Sequence, residues 1–214
     1  MKRIVGLMIA VMSLLGLSVS VHAETVMPDV SVKSTVQEVL AALKQEKTDK
    51  KKIQALVDEK VLPLFDFTLM TKRAVGPAWK TTSAEQKKVL VDEFRDLLVR
   101  VFIAKAFTDN GNRTVKFEPL RYDEGDDQVT VKTSILSPGK EAIAVDYDLK
   151  KTAAGWKVVD LAIAGPRLAL DIYNNQFREP LQQAGVDGLI RFLTEKNRAA
   201  DVNAAAPVRK AEAK

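Results

Sequence analysis

Three places in the sequence hold side chains equipped for chemistry. The first is Asp66, a lone carboxylate between Phe65 and Phe67 in VLPLFDFTLMTKRAVGPAWK, residues 61–80. A carboxylate kept in apolar surroundings has its pKa raised and can act as a general base. The same position reads more simply as a helix N-cap, with Phe65 and Met70 placed to form a hydrophobic staple and Gly76-Pro77 as the stop. The second place is YDEGDDQ, residues 122–128, whose four acids have the density of a calcium loop. They lack the alternate-residue spacing and the glutamate at the twelfth position of such a loop, and a polar, glycine-containing segment is what a hairpin needs in any case. The third is Asp146 and Asp148, with Tyr147 between them and Tyr173 further along. Carboxylates two apart on a strand point to one face, here the face opposite the apolar row, so both are expected to meet solvent and not to form an acid–base pair.

The amino terminus narrows the chemistry further. Met1-Lys2-Arg3 precedes an apolar run from Ile4 to Leu17, and Val21-His22-Ala23 supplies a cleavage site. This pattern predicts a cleavable secretory signal peptide over residues 1–23 and a mature start at Glu24, since the run is shorter than the roughly 18–20 residues of a membrane span. With the signal goes His22, the only histidine, and the chain has no cysteine. Ser–His–Asp and Cys–His nucleophile systems, the usual structural zinc sites and disulfides are therefore excluded, and nothing calls for a cofactor or a metal. The formal charge is +5, and removing Lys2 and Arg3 leaves 31 basic against 28 acidic side chains. Both signs alternate, as in KQEKTDKKK, residues 44–52. That is a solvated helix face and not a nucleic-acid stripe.

The elements that position these residues follow from apolar period. Helical spacing predicts amphipathic helices over 31–46 and 49–62, through Val36, Val39, Leu40, Leu43 and then Ile53, Leu56, Val57, Val61. A third helix covers 66–75; Phe67, Met70 and Ala74 share its stripe, whereas Leu69 and Val75 fall outside it and ask for a second apolar environment. Ser83 to Gln86 is a capping box opening a helix to about Phe107, whose second half, VRVFIAKAF, is apolar nearly all round. From 113 to 164 the period becomes two. Strands near Thr114–Tyr122, Val129–Ile135, Ile143–Leu149 and Trp156–Ile163 form an antiparallel meander, with Pro119 weakening the first and the last carrying apolar residues out of register, as at a bulge. Helices over 167–184 and 186–197 follow Gly165-Pro166, and the tail from 199 to 214 reads as disordered. The whole is an α+β chain with one domain over 24–198. Surplus apolar surface in the third helix, the long helix, the last strand and Leu168 to Phe177 points to an apolar cavity. Lys72, Arg73 and Lys80 form a candidate docking or headgroup-proximal patch.

Two segments carry a family resemblance over about residues 30–197. VLPLFDFTLMTKRAVGPAWKTTSAEQKKVLVDEFRDLLVRVF, residues 61–102, and WKVVDLAIAGPRLALDIYNNQFREPLQQAGVDGLIRFL, residues 156–193, resemble the MlaC family of periplasmic phospholipid-binding proteins. Asn174 stands where that family often has arginine, and Pro166-Arg167 where a small or aliphatic pair is common. The resemblance implies an NTF2-like twisted sheet with a helical subdomain enclosing an apolar pocket for phospholipid acyl chains. It also implies a non-enzymatic carrier between an outer-membrane lipoprotein–porin complex and an inner-membrane ABC transporter with an MCE-domain subunit, maintaining outer-membrane lipid asymmetry. The lining residues it implies are Phe67, Met70, Val75, Val101, Phe102, Val131, Val145, Val159, Leu161, Leu168 and Tyr173. An NTF2-like enzyme using Asp66 as a pocket carboxylate, and a periplasmic interaction module with a closed core, remain the alternatives.

Overall fold

A computed structural model describes residues 27–45, 50–100, 113–123 and 125–205. The segment read as a signal peptide lies outside these residues, as does the greasy end of the long helix with Val101 and Phe102. Helix α1, Pro28–Gln45, starts ahead of the expected residue 31 because Pro28 suits the first helical position and Asp29 the positive end of the helix dipole. Helix α2, Lys50–Leu56, gives way to a π turn at Val57–Val61 and a 3-10 turn at Leu62–Leu64, where the sequence suggested one helix. Pro63, which has no N–H to give, sits in the tightened stretch.

Helix α3, Phe67–Val75, is capped as its sequence requires: the Asp66 carboxylate accepts the Leu69 N–H at 2.8 Å. The helix ends at Gly76, whose φ of +66° an L side chain rarely adopts. A Cβ there would also stand 3.2 Å from the Tyr173 ring, so the glycine serves both the turn and the close approach. Helix α4, Ala84–Leu98, opens on the reciprocal Ser83–Gln86 capping box.

Four strands follow, β1 Thr114–Phe117, β2 Gln128–Leu136, β3 Ile143–Thr152 and β4 Gly155–Ile163, in one open antiparallel sheet of order β1-β2-β3-β4. β1 stops well short of Tyr122, two residues before Pro119. Between β3 and β4 the register slips: Asp148 faces Asp160 but Leu149 faces Val158, leaving Val159 as the extra residue of a bulge. That slip reconciles the two out-of-step apolar sets read in the last strand. Beyond β4 come α5, Leu168–Ile172, a π turn at Tyr173–Phe177, and α6, Arg178–Ala205, kinked at Ala184 and Gly185. α6 runs past residue 197, where the sequence reading ended it. Ala199, Ala200, Ala204 and Ala205 favour helix without needing a packing face.

The buried apolar residues form two bodies. One is helical, with Met70, Ala74, Val75, Leu90, Phe94, Leu168, Ile172, Phe177, Leu189 and Leu193. The other lies between α1 and the sheet, with Val32, Val129, Val131, Leu149, Trp156 and Val158. Asp66 starts the helix that links them. Asp66→Ala is expected to cost about 1 kcal/mol of unfolding free energy and Asp66→Asn only a few tenths, since asparagine also caps; urea denaturation of the two variants measures this.

Candidate functional site: a seam between two apolar bodies

Phe65 and Leu161 pack against both apolar bodies at once. Each is only partly covered. Phe65 reaches the sheet because it forms a parallel bridge to Val158, reinforced by the Asp66 N–H donating to the Val158 carbonyl at 2.9 Å. Its ring stacks on Phe67, with centroids 5.8 Å apart. Leu161 faces Tyr147 across β3–β4, and Tyr147 faces Val131 across β2–β3, so these three share the apolar face of the sheet.

Tyr147 defines the character of this seam. Burial pushes its hydroxyl above the usual tyrosine range, against the smaller opposing effect of a hydrogen bond with Thr133. Yet the side chain retains accessible surface. The ring is thus only partly covered where it packs against the sheet body. Thr133, by contrast, is 2% exposed, and its hydroxyl donates to the Val145 carbonyl at 2.8 Å. Along the same face Leu149 and Val158 are buried, Tyr147 and Leu161 half-buried, Val145 and Thr133 buried again, and Ile143 and Ile163 exposed at the end of the strands.

The residues singled out from the sequence divide between these surroundings. Phe67 and Leu161 are partly covered at the seam, and Tyr173 is half-buried against Gly76. Met70, Val75 and Leu168 belong to the helical body, Val131 to the sheet body, and Val145 and Val159 are buried on β3 and β4. Val75 corrects the expectation of a second apolar environment. It is wholly buried beside Ala74 and Met70, because α4, α5 and the turn Tyr173–Phe177 pack against α3. Phe65 and Tyr147 also stand at the seam, and strict alternation already set Tyr147 in the apolar row with Val145 and Leu149.

The polar face of the sheet also departs from expectation. Asp146 and Asp148 are half-buried and not free in solvent: Arg167 holds both, its Nε 2.8 Å from Asp148 and its Nη1 3.8 Å from Asp146. Arg73 is exposed like Lys72 and Lys80 but leans toward the sheet, donating to the Val159 carbonyl at 3.4 Å and lying 3.8 Å from Asp160. Asp160 is 5% exposed and was not foreseen at all. Its Oδ1 accepts the Leu161 N–H at 2.8 Å and the Ala169 N–H at 3.1 Å, supplying the cap that the Arg167 side chain does not give α5. Burial nonetheless raises its pKa, outweighing those hydrogen bonds and Arg73, and Asp148 across the strand adds to the rise.

An open antiparallel sheet joined along one edge to a helical body, with a partly covered apolar seam between them, defines an α+β protein with two apolar bodies. The chain belongs to the MlaC family, whose model matches residues 33–195. It is 24% identical over 147 residues to the intermembrane phospholipid transport system binding protein MlaC of Haemophilus influenzae, a match covering 67% of this chain and 68% of that one. The solved phospholipid-binding protein of Ralstonia solanacearum, in complex with a phospholipid, is 34% identical with a TM-score of 0.73, covering 81% of this chain and 98% of that chain.

The Asp160 geometry sets a pH dependence. A carboxyl group whose folded pKa is raised keeps its proton longer in the folded state, so its contribution to stability declines as pH rises from the unfolded value through the folded one. Asp160→Asn retains an acceptor for both N–H groups and removes the ionisation. The stability of the variant relative to the parent is expected to improve as pH rises from the ordinary carboxylate range through the raised folded value, whereas Asp160→Ala loses both bonds and costs about 2 kcal/mol throughout. Urea titrations of the three proteins across that range measure both effects.

Proposed function

We propose that this protein is a phospholipid carrier that shelters acyl chains in the seam between its helical body and its sheet and leaves the headgroup toward solvent. The observation that carries the reading is the likeness, over most of the chain, to a protein solved with a phospholipid bound. The partly covered apolar residues Phe65, Phe67, Tyr147 and Leu161 support it. At about 0.8 kcal/mol per buried CH₂, a sixteen-carbon chain is disfavoured in water by on the order of 12 kcal/mol, so an unassisted two-chain lipid does not cross an aqueous gap at useful rates. A carrier needs only a place to hide those chains. It makes and breaks no covalent bond, and we read the protein as not an enzyme.

The setting follows from the same family reading. The signal-like residues 1–23 fit export to the periplasm as a single MlaC-like domain. The partners are an outer-membrane lipoprotein–porin complex and an inner-membrane ABC transporter with an MCE-domain subunit, between which lipid would pass to maintain outer-membrane asymmetry. Of the residues named from the sequence, Phe67, Leu161 and Tyr173 are the ones proposed to touch lipid, with Met70, Val75, Val131, Val145, Val159 and Leu168 packed behind them. Asp66 is engaged as a cap, which argues against its use as a pocket base.

Native mass spectrometry of the protein purified from cells is expected to find phospholipid at near one copy or more per chain. A protein that arrives lipid-free and stays so after incubation with vesicles overturns the reading. Asp66→Asn is expected to load lipid as the parent does; a variant that folds normally but loses a turnover activity present in the parent favours the enzyme instead.

A further inference from the structure

Three carboxylates share the polar face of the sheet. Asp146 and Asp148 stand on β3, Asp160 stands on β4, and Asp148 and Asp160 are direct cross-strand partners. Like charges so opposed repel one another, and two arginines from the helical half offset them. Arg73 of α3 reaches Asp160 and the β4 backbone at Val159. Arg167, just before α5, reaches further, across β4 to the carboxylates of β3. Its grip is oriented: Thr130 of β2 donates to the free oxygen of Asp148 at 2.7 Å, so the carboxylate that meets Arg167 Nε at 2.8 Å is fixed from both sides.

Helix α1 packs on β1 and β2, and a further set of contacts ties the helical body to β4. Phe65 and Asp66 bond to Val158, Lys157 donates to the Pro63 carbonyl at 2.7 Å, Ala162 bridges to Arg167, and Asp160 accepts from Ala169. Helix α5 itself moves with the helical body, since Leu168, Ala169 and Ile172 are part of its core. Parting the helical half from β3 while it stays attached to β4 therefore strains the Arg167 pairs first. Those pairs are half-exposed, with 36% of the Arg167 side chain accessible, which keeps them within reach of water and salt.

We propose that Arg167 is a positioning residue for cargo exchange: its ion pairs with Asp148 and Asp146 clasp α5 to the sheet and set how often the seam opens. This rests on the phospholipid-carrier reading. An ion pair of this exposure shifts an open–closed balance by roughly five-fold and not by orders of magnitude, a scale suited to a carrier that must also let go. Lysine at this position keeps the charge but offers a point in place of a fork and engages the two carboxylates less well.

The test loads the parent, Arg167→Ala, Arg167→Lys, Asp148→Asn and the Arg167→Ala/Asp148→Asn double variant with a fluorescent phosphatidylcholine. Transfer to phosphatidylcholine vesicles is then followed at low and high salt. Arg167→Ala is expected to transfer roughly five-fold faster than the parent, with lysine between them and the double variant no faster than Arg167→Ala. Salt should speed the parent and leave Arg167→Ala nearly unmoved. Equal rates at equal loading, or an acceleration that salt does not mimic and that simply follows thermal stability, overturn the proposal. A parent that takes up no lipid overturns the carrier reading and the exchange role with it. The clasp is then decided separately by hydrogen exchange at the Ala169 amide without lipid: faster exchange in Arg167→Ala upholds the clasp, and unchanged exchange removes it.

Discussion

The outer edge of β4 is the constraint on which the molecule turns. An edge strand offers unpaired backbone groups that water or another chain will take, and natural sheets cover or break such edges. Here Phe65 takes a place beside Val158 as a single parallel bridge, and the Asp66 N–H closes on the Val158 carbonyl. The next residue begins a helix, because Asp66 turns its carboxylate to the Leu69 N–H. One aspartate thus ends a strand-like pairing with its backbone and starts a helix with its side chain. The helical body is thereby hung on the sheet by its edge, and a seam between two separately packed apolar bodies is the geometric result.

Much of the architecture could be read from period and punctuation. The capping box at Ser83, the stop at Gly76, the break at Gly185 and the period-two strands are local signals, and local signals survive folding. The misses share a different cause. The π turns at Val57–Val61 and Tyr173–Phe177 change helical phase without any residue that forbids ordinary helix, so no rule of sequence marks them. Likewise Asp160 looks like an exposed polar position of a strand until α5 folds back and brings the Ala169 N–H to it.

The site was half legible for the same reason. Apolar surplus is visible in a sequence, but its destination is not. Val75 lay outside the stripe of α3 and went to ordinary core, because α4, α5 and the turn Tyr173–Phe177 pack against α3. Phe67 lay on the stripe and stays partly uncovered. What separates the two is their distance from the sheet edge along α3: Phe67 is the first residue after the Asp66 cap, and Val75 is the last residue of the helix. Helical phase decided part of the matter as well, since the buried face of α3 is Met70, Thr71, Ala74 and Val75, turned by one residue from the stripe through Phe67.

Polar and apolar faces of the sheet then take different tasks. On the apolar face, Tyr147 is deep enough for its hydroxyl to be hard to ionise and open enough to keep accessible surface, which gives the seam a ring wall with one polar atom already engaged by Thr133. On the polar face, three carboxylates and two arginines meet where a plain solvated surface would have sufficed for folding. Partly buried ion pairs add little net stability, because removing charges from water costs nearly what their attraction returns. They do impose geometry, since Asp148 satisfies Thr130 and Arg167 together only when α5 lies across β4 toward β3. The backbone bonds at Val158 already set where the helical body meets the β4 edge, and the charged face adds a second constraint that reaches past β4 to β3.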